Sequence, residues 1–123
     1  MILGIHHVQV TVGREDVAAA RDFYVGVLGL AEIEKPDSLK GRGGFWVQVG
    51  ERVVHVGVEE GGERWKSKAH VAYRVDDIGA WRARLAAADV EIIESVPIAG
   101  YERFEFRDPF GNRVEMIEVV TDG

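Results

Sequence analysis

The sequence predicts an α+β fold of two βαβββ modules that together form a half-barrel cup. Three observations point to it. The segment HVQVTV at 7–12 returns as HVAYRV at 70–75. After each copy comes an alanine-rich stretch with apolar residues at helical spacing. Three short alternating segments then follow in each half, as strands require when successive side chains point to opposite faces. Repeats of this size can mean a solenoid, but two copies are too few, and a duplicated module whose two sheets pair fits better.

The elements follow in order. The first strand, 7–12, puts Val8, Val10 and Val12 on one face and His7, Gln9 and Thr11 on the other. Glu15 and Asp16 are expected N-caps that also suit the helix dipole. Val17, Ala20, Tyr24, Val27 and Leu28 then mark a helix that stops near Gly29, a natural C′ residue. LAEIEKP (30–36) is the second strand. Lys40, Arg42 and the glycines at 41, 43 and 44 suggest a mobile loop. GFWVQV (44–49) and RVVHVGV (52–58) pair through Gly50–Glu51. EEGGERWKSK (59–68) links the halves.

The second module repeats the plan. Asp76 and Asp77 precede a helix marked by Ile78, Trp81, Leu85 and Ala88, which ends near Ala88–Asp89. VEIIESVP (90–97), YERFEFR (101–107) and NRVEMIEVV (112–120) are its strands. DPFG (108–111) is a strong turn signal between the last two. The tail after Val120 is expected to fray. This gives one domain over 1–123, with modules at 4–60 and 68–120.

Composition narrows the function. The chain has 123 residues, 46% hydrophobic and 29% charged, with a formal net charge of −6. The negative balance, without a basic stripe, argues against nucleic acid and polyanionic membrane surfaces. With no cysteine, neither a disulfide framework nor a thiolate metal site is possible. No apolar run reaches about 18 residues. The start, MILGIHH, lacks the features of a signal peptide, so a cytoplasmic location is expected.

Four residues carry the chemistry: His7, His55, His70 and Glu115. They include three of the four histidines. Strand parity puts each opposite its helix-covered face. His7 and His70 match across the repeat, and so do His55 and Glu115. A lone strand histidine is usually a structural, hydrogen-bonded residue. Four repeat-related groups facing one way suggest a shared divalent metal, with nitrogen and oxygen donors suited to Zn, Ni, Fe or Mn. His6 falls on the valine face and reads as structural or edge-exposed. By parity Gln9, Thr11 and Arg74 line the cavity, and Arg74 is a candidate carboxylate fork. Trp46, Tyr101, Arg103 and Phe104 lie near the expected rims. Glu59 is a weak candidate base beside His55.

HHVQVTV (6–12), ARDFYVGVLGL (20–30), HVAYRVDD (70–77) and DPFGNRVEMIE (108–118) together resemble the vicinal oxygen chelate superfamily, which includes glyoxalases, bleomycin resistance proteins and extradiol dioxygenases. The resemblance covers residues 4–120. It implies paired βαβββ modules around a divalent metal (Zn, Ni, Fe, Mn or Co), with ligands from the first and last strands of each module. Those positions fall on His7, His55, His70 and Glu115. The first-strand His7, the fifth-strand His70 and the eighth-strand Glu115 match the two-histidine, one-carboxylate set that the resemblance implies for extradiol dioxygenases and fosfomycin-modifying enzymes. The fourth-strand position, commonly Glu or Gln in glyoxalases, is His55 here. The resemblance also makes Glu115 the expected base, since its glyoxalase counterpart can leave the metal and move a proton.

Four protein ligands on a six-coordinate metal leave two adjacent positions for a substrate with neighbouring oxygens. The metal then acts as a Lewis acid and stabilises an enediolate-type intermediate. The leading expectation is a metal-dependent lyase or isomerase of a small molecule with vicinal oxygens. A non-haem Fe(II) dioxygenase and a drug-sequestering protein of the bleomycin-resistance type are the alternatives. A homodimer is expected, with module pairing either within one chain or across two.

Overall fold

The computed structural model describes residues 1–120; the tail expected to fray lies outside the described residues. The chain divides into two compact units, Met1–Gly62 and Glu63–Gly123.

The first unit contains β1 (His7–Val12), α1 (Val17–Arg21), β2 (Ala31–Ile33), β3 (Phe45–Val49) and β4 (Arg52–Val58). Its sheet runs β1-β4-β3-β2, with β1 parallel to β4 and the other pairs antiparallel. The second unit contains β5 (His70–Arg74), α2 (Ile78–Ala87), β6 (Ile93–Glu94), β7 (Tyr101–Arg107) and β8 (Arg113–Val119). Its sheet runs β5-β8-β7-β6 with the same directions. The βαβββ order therefore occurs twice, as the sequence predicted.

Each core lies on one face of its sheet. Val12, Phe45, Val47, Val54 and Val56 are buried with Ala20, Phe23, Tyr24 and Leu28 from the helical segment. In the second unit Tyr73, Phe104, Phe106, Val114 and Met116 are buried with Ile78 and Leu85 of α2. Burial of apolar area is what holds each sheet to its helix. A matching clamp reinforces both. The Arg21 guanidinium sits 5.0 Å over the Phe45 ring and pairs with Glu32 at 2.8 Å. Arg82 sits 4.9 Å over Phe104 and pairs with Glu94.

Several elements depart from expectation. The first helix is not one α-helix. A 3-10 turn (Arg14–Asp16) leads into α1, which widens into a π-helical turn at Asp22–Val27. Val25, Gly26 and Val27 are poor helix formers, and the wider turn keeps Phe23, Tyr24 and Leu28 all inward. Gly29, at φ 73°, ends it as expected. Neither Glu15 nor Asp16 caps by its side chain; the Glu60 carboxylate accepts from the Arg14 amide instead, at 2.7 Å. Asp77 does cap α2, accepting from Ala80 N at 3.1 Å.

β2 and β6 are much shorter than the segments 30–36 and 90–97. In the second case the Arg103 guanidinium takes the Val96 carbonyl, at 2.6 Å, drawing it out of any ladder. Residues 37–42, expected as loop, form a 3-10 helix. Gly44, at φ 77°, lets the chain lie directly on β4: a Cβ there would come 2.1 Å from Val56 O.

The turn at 108–111 is as predicted. Fully buried Asp108 accepts from Phe110 N (3.0 Å), Asn112 N (2.8 Å) and Asn112 Nδ2 (3.0 Å).

Candidate functional site

The parallel strand pairs set the geometry. In the first sheet His7 aligns with Val53 and Gln9 with His55. In the second, His70 aligns with Arg113 and Ala72 with Glu115. His7 and His55 are thus diagonal neighbours on the open face of β1 and β4. His70 and Glu115 hold the same relation on β5 and β8. Each unit brings two of the four predicted residues together. Among the described residues no group of three or more His, Asp or Glu side chains gathers in a metal-binding arrangement.

In the first pair the His7 and His55 rings stack, with centroids 4.1 Å apart and planes 15° from parallel. Trp46, opposite His55 across β3 and β4, stacks on its other side at 3.9 Å and 2°. The His55 ring is therefore fixed in plane by two aromatic neighbours. Burial, and then the positive neighbours His7, His6 and Lys35, push its pKa below the ordinary value. That favours neutral imidazole, the form that binds metals.

His6 is a correction. It is exposed, as expected, but its Nδ1 lies 3.0 Å from His7 Nδ1. It also lines the same cavity as His7 and His55. If His7 donates from Nδ1, its Nε2 lone pair is left free, the arrangement that outer partners impose on metal-binding histidines. The only sequence signal for this was adjacency.

In the second pair His70 Nδ1 bonds Lys68 O at 2.9 Å. A carbonyl only accepts, so Nδ1 carries the hydrogen. In the tautomer with Nε2 unprotonated, its lone pair faces Glu115 Oε1, 3.2 Å away. Two acceptors at that distance are complementary only with a proton or a metal ion between them. The donor set therefore fits a divalent cation.

Glu115 is only 7% exposed although it stands on the open face. Its neighbours explain this. Arg103 Nη1 lies 3.6 Å from its Oε1 and 3.8 Å from Glu105 Oε1. Glu105 faces Glu115 directly in the β7–β8 register and is also buried. Two opposed carboxylates would repel, but Arg113 binds Glu105, and this bond holds the Glu105 carboxyl below the usual carboxylate range. Arg103 was expected at a rim; it lies beside the key carboxylate. Glu105 and Arg113 were not anticipated, because charges on an alternating strand read as a solvated face.

Of the remaining candidates Gln9 lines the same cavity as His7 and His55, and the others are dispersed. Gln9 lies over Gly57, whose absent Cβ leaves the space: a Cβ would come 2.9 Å from Gln9 Cδ. The Thr11 hydroxyl donates to Glu59 Oε1 at 3.1 Å. Arg74 shares the face of His70 but lines a cavity of about 410 Å³ with Asp76 and Glu118. Tyr101 is 45% exposed and aligns with Val119, at the far end of β8 from Arg113. Phe104 is a correction: it is fully buried in the core and shapes no rim.

Comparison with known proteins agrees with this architecture. A family model described as the glyoxalase/bleomycin resistance protein/dioxygenase superfamily matches residues 4–116. A crystal structure from Bacillus anthracis, assigned to the glyoxalase family, is 39% identical over 97% of each chain, with a TM-score of 0.89. Lactoylglutathione lyase from Agrobacterium tumefaciens shares the fold at 21% identity and a TM-score of 0.72, covering 95% of this chain and 94% of that one. So does a variant of the fosfomycin resistance protein FosX from Listeria monocytogenes, solved with Mn(II) and 1S,2S-dihydroxypropylphosphonic acid (20% identity, TM-score 0.79, covering 97% of this chain and 94% of that one). No curated protein matches the chain. The duplicated sheets, the paired open-face donors and the match over nearly the whole length lead to one assignment: the chain belongs to the glyoxalase/bleomycin resistance protein/dioxygenase superfamily.

Proposed function

We propose that the protein is a divalent-metal-dependent lyase or isomerase acting on a small molecule with two adjacent oxygens. His7, His55, His70 and Glu115 are the proposed ligands, and Glu115 the proposed proton carrier. The observation that carries the reading is the His70–Glu115 pair, whose Nε2 and Oε1 face each other and can share a metal ion or a proton, with His7 and His55 at the matching register of the other sheet. When bound, the metal supplies Lewis-acid polarisation of the two substrate oxygens.

The chain's own residues do the rest. Lys68 O orients His70, and His6 orients His7. Trp46 and His7 confine the His55 ring. Arg113 neutralises Glu105, so Glu105 does not oppose the negative charge of Glu115. Arg103 lies close enough to Glu115 to favour its ionised form, so that a proton Glu115 takes up is readily given back.

The test is elemental analysis of protein purified without added metal. About one divalent ion per site is expected in the parent and little in His7→Ala or Glu115→Ala. Full occupancy in both variants sinks the metal reading and favours sequestration. Substrate-dependent oxygen uptake would move the assignment to a dioxygenase. We further propose a cytoplasmic homodimer. Ile2, Leu3 and Ile5 are 94%, 89% and 66% exposed in the single chain, an apolar stretch suited to a partner. Sedimentation showing only monomer would count against it.

A further inference from the structure

We propose that the cavity of the first unit is an anion pocket, in which Lys35 and Arg42 receive the charged end of a small organic acid while its apolar body rests on Leu39 and Trp46. That this acid is the substrate rests on the function proposed above; the pocket does not.

The chain carries 21 acidic residues against 15 basic ones. Yet the cavity, about 540 Å³, is lined by Lys35, Arg42 and three histidines and by no Asp or Glu. The nearby carboxylates are engaged elsewhere: Glu34 and Asp37 both pair with Lys40, at 2.8 and 2.9 Å. Lys35 Nζ donates to Gly43 O at 2.7 Å. That bond positions the ammonium with one of its three donors and leaves its charge uncompensated. The Arg42 side chain forms no hydrogen bond or ion pair among the described residues. Two cations without a paired carboxylate on a concave wall focus a positive field. In a chain this acidic, such a wall would repay its cost by binding an anion.

The rest of the lining describes the remainder of the ligand. Leu39, Val53 and the Trp46 ring are apolar. The Gln9 carboxamide, seated over Gly57, offers one donor group and one acceptor. The shared ligand chemistry is therefore an anionic head, carboxylate or phosphonate, on a compact apolar body.

Three matched probes test this on the full chain, kept in chelator so that no metal can hold the anion. Phenylphosphonate, benzoate and neutral benzamide are titrated while the Gly43 and Gly57 amides and the Trp46 indole are followed by NMR. Both anions should shift these signals saturably, with benzamide at least about tenfold weaker. Lys35→Gln and Arg42→Gln should each weaken the anions about fivefold to tenfold and leave benzamide unchanged. Phenylphosphonate binding above benzoate identifies the head as phosphonate, and the reverse as carboxylate; either supports the pocket. Equal binding of benzamide and benzoate, anion affinity unchanged in both Gln variants, or no saturable shift with either anion overturns it. Loss of the metal reading with anion selectivity intact would remove the substrate role and keep the pocket.

Discussion

Replacing Asp108 should unfold the second unit more readily than its small size suggests. The carboxylate is fully buried and accepts from Phe110 N, Asn112 N and Asn112 Nδ2 at 2.8–3.0 Å. Hydrogen bonds to a charged group contribute roughly 1.5–3 kcal/mol each, and an orphaned buried donor costs about 1–3 kcal/mol. Asp108→Ala removes three such bonds and orphans two backbone amides, but it also removes a buried charge, which offsets part of the loss. The net expectation is about 4 kcal/mol. Asp108→Asn keeps one oxygen for both amides and loses mainly the contact with Asn112 Nδ2, so about 1–2 kcal/mol is expected. Urea unfolding at fixed protein concentration reads both, since m is about 1–3 kcal/mol/M for small proteins. The midpoint should fall by about 2 M for Ala and by about half that or less for Asn. A loss under about 1 kcal/mol for Ala, or a larger loss for Asn than for Ala, would refute the turn's role as a hydrogen-bonded anchor.

Two further outcomes are expected. Tyr73 is buried and its hydroxyl has no hydrogen-bond partner among the described residues, while burial and the Asp108 charge push its pKa up; Tyr73→Phe should raise stability by about 1 kcal/mol, read as a higher urea midpoint. His6→Ala should weaken metal binding about tenfold to a hundredfold if His6 orients His7, and His6→Gln, which keeps an acceptor, should restore most of it in a competition titration against a chelating dye.

Much of this was legible in the sequence, for identifiable reasons. The valines at 8, 10 and 12 and at 54 and 56 alternate strictly, so they fixed the facing of His7 and His55. The turn at 108–111 was readable because Asp, Pro and Gly each favour that geometry for a separate local reason. What stayed hidden depends on partners distant in the chain. Nothing in YERFEFR says that Glu105 will be buried against Arg113, which stands in the next strand. Trp46 read as a rim residue because stacking on His55 is a matter of register. The π-helical turn depends on three buried side chains sharing one wall, which periodicity at 3.6 residues does not encode.

The duplicated clamp has a consequence for how such a chain can change. Arg21–Phe45–Glu32 and Arg82–Phe104–Glu94 are the same device written in two different sequences. On the opposite face, Trp46 and Glu105 hold equivalent rungs, each directly across from its candidate donor. One is a large aromatic ring and the other a carboxylate, yet the residues flanking each, Phe45 and Val47 or Phe104 and Phe106, stay in the core. Architecture and reactivity are thus written on alternate letters of each strand. Exchanging Trp46 and Glu105 between the halves would rewrite the chemistry while leaving the spelling of the fold intact.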